Sequence, residues 1–340
     1  MRGSRRLPTR MLVDLPNWVG DQMMTMPALS RLVEANRGGV TVLHTRPNML
    51  RFLSAVFPTT SVLASPLRAS PLWSARKLRS DGHDFEIGVT LRNSARAKIL
   101  LRLTSRWSVG SRGEGAKFLL SAPCPVDRGR HQVHDADGFL AVLGLDSIDP
   151  SWQAILPESL MSEGETVIRG VGADRGRTVG LAPSTARGAS KRWPSELYGQ
   201  LATRLRAHGY NPVVVIGPGE MSLAERVGEA SGHELPVIGH TEDVAGLAAA
   251  VASLPLLVGN DSGPVQLAAC LGIPVVAIFG PSDPRRTAPL GSRHRVVSPP
   301  PAHRQIRYVS VDAVEEAVLD LSGDLASSVA ALHDLSSIER

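Results

Sequence analysis

Short apolar runs alternate with longer stretches in which apolar residues recur every three to four positions, almost from end to end of the chain. The first kind reads as buried strand and the second as amphipathic helix. Strands are expected at 11–15, 40–44 and 85–89, with helices at 22–35, 48–57, 72–80, 93–103 and 134–143. The alternation restarts with strands at 178–182, 212–217, 236–238, 256–259 and 274–279. Helices are expected between them at 195–208, 221–230, 242–253 and 264–271, and a last one at 311–321.

Strands joined by crossover helices imply parallel sheets covered on both faces. The expected fold class is therefore α/β, with two Rossmann-like domains whose parallel sheets face an interdomain cleft. A length of 340 residues, too great for one core, agrees with two domains. The stretch 151–177, with Pro157, Gly164, Gly170, Gly172 and Gly176, breaks the periodicity and is the expected join. The division is an N-terminal domain over 1–160, a linker region over 161–177, a C-terminal domain over 178–322 and a tail over 323–340. Ligands in such folds sit beyond the carboxyl ends of the strands.

Composition narrows the class. Two cysteines, Cys124 and Cys270, leave no disulfide framework or cysteine-rich zinc site and suit a reducing cytoplasm. No apolar run approaches the roughly 20 residues that span a bilayer. The run Met11–Leu15 is too short for a signal peptide, so residues 1–10 read as a basic tail and the chain as a soluble cytoplasmic protein. The net charge is +5, carried by 33 arginines and only four lysines against 32 acids. Basic groups crowd one region: Arg92, Arg96, Lys98, Arg102, Arg106, Arg112 and Lys117. Such a stretch is either a solvated helix face or a site for an anionic partner such as nucleic acid, a phosphorylated lipid or a membrane surface. Aromatics at 4% supply few stacking platforms for single-stranded nucleic acid.

Three segments can carry chemistry. In LLVGNDSGPVQLAACLGIPVVAIFGPSDPRRTAP (256–289), a strand runs into Asn260-Asp261-Ser262-Gly263 and then a helix opening with Pro264. A helix N-terminus offers unpaired N–H groups and the positive end of a dipole to a diphosphate. Ser262 and Gly263 permit close backbone approach, whereas Asp261 would accept from sugar hydroxyls or cap the helix. In LAPSTARGASKRWP (181–194), Ser184, Thr185 and Lys191 could hold phosphates, or the segment is a surface loop. In MLVDLPNWVGDQMMTMPAL (11–29), Asp21 is either a helix cap or a general base for an acceptor hydroxyl. Gly217-Pro218-Gly219-Glu220 closes a strand, and Glu220 there either accepts from a ribose hydroxyl or is merely exposed. Gly110–Lys117 lacks the GK[ST] core of a P-loop, and His131, His134, Asp135 and Asp137 are not assigned to a metal.

Together, NWVGDQMMTMPAL, RNSARAKILLRLTSRWSVGSRGEGAKFLL (92–120), APSTARGASKRWP and NDSGPVQLAACLGIPVVAIFGPSDPRRTAP resemble glycosyltransferase family 9, the lipopolysaccharide heptosyltransferases, and most the heptosyltransferase II type. The motifs occur in the family's order and cover most of residues 11–290. The resemblance implies a GT-B fold and inverting, metal-independent transfer of heptose from ADP-heptose to a lipopolysaccharide inner-core acceptor, with no cofactor. It implies Asp21 as catalytic base, Lys191 stabilising the departing diphosphate, and a donor site of Ser184, Thr185, Lys191, Glu220, Asp261, Ser262, Gly263 and Gln266. Asn17, Trp18, Arg92, Asn93, Arg96, Lys98, Arg112 and Lys117 would meet the phosphorylated lipid or oligosaccharide acceptor. The expected protein is a monomer without nucleic-acid partners, with room for peripheral contact at the inner membrane face. Two positions depart from the family: Gln266 stands where DSGxxH members carry histidine, and Ser184 where many carry glycine. A nucleotide-sugar epimerase on the same fold and a non-catalytic nucleotide-sugar-binding homologue are the competing readings.

Overall fold

A computed structural model of the chain describes residues 7, 9–80, 82, 84–113, 115–172, 176–186, 188–239, 241, 243–291 and 293–323. The chain divides into two compact units, Met1–Pro157 with Asp243–Ala245, and Glu158–Glu242 with Gly246–Arg340. Apart from residues 7, 9, 10 and 323, the expected tails at 1–10 and 323–340 lie outside the described residues.

In the first unit, strands β1 (Arg10–Asp14), β2 (Val40–Thr45), β3 (Ser61–Ala64), β4 (Phe85–Thr90), β5 (Ser105–Ser111) and β6 (Ala122–Cys124) form one parallel sheet in the order β3-β2-β1-β4-β5-β6. Helices α1 (Val19–Ala35) and α2 (Leu50–Val56) return the chain outward through β2 to β3. Helices α3 (Pro71–Ser80) and α4 (Ala95–Thr104) carry it the other way, so right-handed crossovers put α3 and α4 together on the opposite face. Leu12, Val42, Ala75, Leu78, Phe85, Leu100 and Leu101 pack between that face and the two helices. Helix α5 (Asp137–Val142) follows β6.

The second unit repeats the winding. Its strands are β7 (Thr178–Ala182), β8 (Asn211–Val215), β9 (Val237–Ile238), β10 (Leu256–Asn260), β11 (Val275–Ile278) and β12 (His294–Val297). They pair in parallel in the order β12-β11-β10-β7-β8-β9. Counted from each unit's first strand, both sheets have the order 3-2-1-4-5-6 of doubly wound nucleotide-binding folds. The winding reverses between β1 and β4 in one sheet and between β7 and β10 in the other. Those two places are the switch points where such folds bind ligands.

Helices α6 (Glu158–Gly170), α7 (Ser195–Ala207), α8 (Met221–Ser231), α9 (Val244–Ala252), α10 (Gly263–Cys270) and the short α11 (Pro284–Thr287) complete the second unit. One apolar core joins Val179, Leu181, Tyr198 and Leu201 to Val311, Val314 and Val318 of the helix at 311–323. The other joins Ile168, Val251, Val265 and Ala268 to the opposite side of the sheet.

Helix α6 corrects the linker expected over 161–177. Residues 158–170 are helical and belong to the second unit. Gly164 looked like a breaker, but a Cβ there would strike the Ala249 carbonyl of α9. The glycine is a packing contact between two helices. Strands β3, β5, β6 and β12 were also not expected; all but β5 are four residues or fewer.

Candidate functional site

At the carboxyl edge of the second sheet, the loops after β7 and β10 meet across the switch point. Asn260, the last residue of β10, is fully buried and joins them. Its Oδ1 accepts from the Trp193 backbone N–H at 3.0 Å, and its Nδ2 donates to the Pro183 carbonyl at 2.8 Å. Trp193 is fixed from below by its indole N–H donating to Val309 O (3.0 Å) and by an edge-on contact with Tyr198. The Tyr198 hydroxyl donates to Ala182 O, and burial pushes its pKa far above the usual phenol value. Gly259 must be glycine for this junction to close, because a Cβ would lie 2.8 Å from Val265 and 3.0 Å from Ala182.

On this frame, Ser184 and Thr185 are buried just past the end of β7. Lys191 Nζ donates to Asp261 Oδ2 at 2.6 Å, so the cation expected at phosphate and the carboxylate expected at sugar are paired with each other. Ser262 is the N-cap of α10, with extended backbone, but its side chain caps nothing. Its Oγ is buried without a hydrogen-bond partner, as are Ser282 Oγ, Thr287 Oγ1 and Arg192 Nε. Buried hydroxyls and guanidinium N–H groups are normally satisfied, and the exception at Ser262 lies at a helix N-terminus, a place suited to an anionic group. Gln266 is buried on α10, and its Nε2 donates to Thr287 O at 2.8 Å, holding the loop after β11 against the helix. Glu220 lies half-buried after β8, with Oε2 accepting from the Gly217 N–H at 2.8 Å. One of its oxygens therefore fixes its own turn.

The first sheet has a charged centre at its own switch point. Asp14 ends β1 fully buried. His44 at the end of β2 meets Asp14 Oδ1 through Nδ1 at 2.7 Å and Ser65 Oγ through Nε2 at 2.8 Å. Thr90 Oγ1 donates to Asp14 Oδ2 at 3.1 Å, and Arg92 lies 3.3 Å from Oδ1. Burial raises the Asp14 pKa, but the Arg92 charge and the His44 and Thr90 contacts outweigh it, and the net shift is downward. Arg46 follows β2, and burial together with the nearby charge of Arg92 lowers its pKa. Asn17, His44, Arg46, Ser65, Arg92 and Arg96 line a pocket at this edge. Two guanidiniums, with Arg92 close enough to disfavour the charge of Arg46, beside one carboxylate already engaged, form a place for an anion.

Asp21 is the third residue of α1 and half-buried; the N-cap is Trp18, so Asp21 is not the cap. Gln132 Nε2 donates to Asp21 Oδ1 at 3.3 Å. Asn17 and Trp18 stand in the same β1–α1 loop, Trp18 exposed. Asn93 Oδ1 accepts from Ser111 Oγ at 2.8 Å, while Arg96, Arg112 and Lys117 are exposed. Lys98 is a correction. Its side chain is fully buried and its ammonium donates to the carbonyls of Gly113 and Gly115, closing the loop after β5. It is a structural cation and not an acceptor contact. His134 and Asp137 pair with each other at 3.0 Å, and Arg130 shares that carboxylate. Asp14, His44, Arg46, Ser65, Arg192, Ser282 and Thr287 were not singled out from the sequence. Their common signal is position: most sit at or just past a strand's carboxyl end.

The sequence pattern of glycosyltransferase family 9 (heptosyltransferase) matches residues 74–315. Lipopolysaccharide heptosyltransferase 2 of Escherichia coli (strain K12) is 27% identical over 339 residues, covering 92% of this chain and 95% of that protein. The solved structure of E. coli ADP-heptose lps heptosyltransferase II superposes with a TM-score of 0.75 at 22% identity, covering 93% of this chain and 99% of the other. A glycosyl transferase family 9 structure from Veillonella parvula DSM 2008 superposes with a TM-score of 0.82 at 19% identity, covering 94% and 99%.

Proposed function

The chain belongs to glycosyltransferase family 9, with two Rossmann-like units of the GT-B class, and on that premise we propose that it transfers heptose from ADP-heptose to a phosphorylated inner-core lipopolysaccharide acceptor with inversion. The observation that carries the donor half is the buried, unpartnered hydroxyl of Ser262 at the N-terminus of α10, with unpartnered Thr287, whose carbonyl is bonded to Gln266 of that helix, and unpartnered Arg192 next to Lys191 in the chain. A diphosphate would satisfy those donors and share the ammonium with Asp261. Similarity to a relative described as an ADP-heptose enzyme supports the choice of nucleotide and sugar. The pocket formed with Arg46, Arg92 and Arg96 supports an acidic acceptor.

In the proposed step the acceptor hydroxyl oxygen attacks the anomeric carbon while its proton passes to Asp21. The bond between that carbon and the β-phosphate oxygen breaks, and ADP departs with the electron pair. The α10 dipole, the Ser262 hydroxyl and Lys191 stabilise the charge that gathers on the diphosphate, which is electrostatic catalysis of the oxyanion-hole kind. Lys191 and the helix supply this charge in place of a metal. Asp21 stands in the first turn of α1, where its carboxylate is the group assigned to take the acceptor proton.

A thermal-shift panel of ADP-, UDP- and GDP-sugars tests the donor, since a ligand that binds only the folded state raises its melting point. ADP-heptose is expected to give the largest shift. Asp21→Ala is expected to lower transfer by about 10³-fold, within the range of positioned acid–base groups, with donor affinity retained. Near-normal transfer by that variant removes Asp21 from the mechanism.

A further inference from the structure

We propose that the outer face of α3 and α4, with the turns at 66–69 and 117–119, is a docking surface for an anionic phospholipid bilayer. In chain order α3 reads PLWSARKLRS and α4 ARAKILLRLT, without a single acid. Between residues 35 and 119 the chain carries four acids, Asp81, Asp84, Glu86 and Glu114, against fourteen lysines and arginines. The inward sides of both helices are spent on the core through Ala75, Leu78, Ala97, Leu100 and Leu101. The outward sides should then be polar on both, and they are only half so.

Leu72 is 64% exposed, Trp73 46% and Leu67 54%, and Ile99 is also exposed on α4. Phe118, in the turn at 117–119 that packs against α4, is 83% exposed. Ala116, which precedes that turn, holds the left-handed backbone (φ 49°) that non-glycine residues rarely adopt, presenting Lys117 and Phe118 outward. Around these apolar groups stand exposed Arg68, Arg76, Lys77, Arg79, Arg96, Arg102 and Lys117. Lys77 lies over the Trp73 ring at 5.7 Å and donates to Ala64 O, Arg96 bonds Ala69 O at 2.5 Å, and Arg79 bonds Leu103 O. The surface is therefore stitched together rather than a set of loose side chains.

A large aromatic among leucines, rimmed by cations and without a carboxylate on α3 or α4, has the chemistry of the lipid headgroup boundary. The indole and aliphatic groups enter the interface while the cations meet lipid phosphates. Among the described residues no helix is long and apolar enough to cross a membrane, so contact of this kind would be interfacial. The face adjoins the anion pocket of the same unit, because exposed Leu67 and Arg96 belong to both. An acceptor whose lipid stays in the bilayer could thus reach the pocket from the docked surface. That last link rests on the acceptor proposed above, whereas lipid binding itself does not.

The test is co-sedimentation of the full chain with phosphatidylcholine vesicles and with vesicles containing 30% phosphatidylglycerol, in the absence of any sugar substrate. Binding is expected on the anionic vesicles and to fall steeply between 50 and 500 mM salt, as a screened contact does. Arg76→Glu with Arg102→Glu is expected to lower the partition coefficient at least about 25-fold, at about five-fold per cation lost. Leu72→Ser with Trp73→Ser is expected to lower it about tenfold at low salt. Neither pair touches the proposed catalytic groups, so turnover of a delipidated acceptor should stay within about twofold of the parent. Equal binding to neutral and anionic vesicles, or undiminished binding by either double variant, overturns the proposal. Loss of transfer with vesicle binding intact would instead overturn the enzymatic reading alone.

Discussion

Replacing Asn260 by alanine should cost more than any other single polar truncation at the donor edge. The side chain is fully buried and makes two hydrogen bonds, accepting from Trp193 N–H at 3.0 Å and donating to Pro183 O at 2.8 Å. Truncation leaves a buried amide and a buried carbonyl unpaired, at about 1–3 kcal/mol each, so a loss of about 4 kcal/mol is expected. That is a large fraction of the 5–15 kcal/mol typical of whole domains. The damage should be local first. Because Asn260 ties the β7 and β10 loops, hydrogen exchange at residues 183–194 should accelerate in the native state before the rest of the unit opens. ADP affinity should fall by about tenfold, as the loops carrying Ser184 and Ser262 lose their common anchor. The readouts are urea unfolding, exchange followed by mass spectrometry, and calorimetry with ADP. A stability loss under about 1 kcal/mol, with residues 183–194 still protected, would refute the reasoning and leave the Lys191–Asp261 pair as the true fastening.

Lys191→Ala should weaken ADP binding by at least about tenfold and also lower the melting point, because it leaves the buried Asp261 carboxylate without its cation; an unchanged affinity by calorimetry would exclude Lys191 from the diphosphate site. Lys98→Met should destabilise the first unit by about 3 kcal/mol, since two loop carbonyls lose their buried donor, yet leave the acceptor KM of folded enzyme unaltered; a raised KM at unchanged stability would restore it as an acceptor contact. Asp14 is held below its ordinary value of 3.8, so its contribution is complete above that pH and is lost as acid protonates the folded carboxyl. Melting points taken from pH 7 to pH 2 should therefore fall more gently at the acid end for Asp14→Asn than for the parent, starting from a lower plateau. An equally steep acid limb in the variant would show that other carboxylates dominate.

Periodicity made most of this fold legible because strands buried on both sides are continuous apolar runs, as in Leu256–Asn260. It failed where an element was short or half-polar. The strand Ser105–Ser111 alternates serine and arginine with larger groups and leaves no apolar run. Helix α6 was hidden by Gly164, whose missing Cβ is a tertiary requirement set by Ala249. The donor loops were readable because a glycine, a hydroxyl run and a proline mark a strand-to-helix turn. The Asp14–His44–Ser65 centre was not. Its members are separated by 30 and 21 residues and meet only because β1, β2 and β3 are neighbours in the sheet. Lys98 shows the opposite error, a charge counted with its sequence neighbours although the helix turns it inward.

That the two sheets share one winding order has a further consequence. Each switch point is furnished by its own strands: the described bonds of the Asn260 junction fall within residues 182–309, and those of the Asp14 centre within residues 14–92. Substitutions that retune one leave the hydrogen bonds of the other intact. Under the proposed function, a chimera joined at Pro157–Glu158 would carry the donor edge of one parent with the anion pocket of the other.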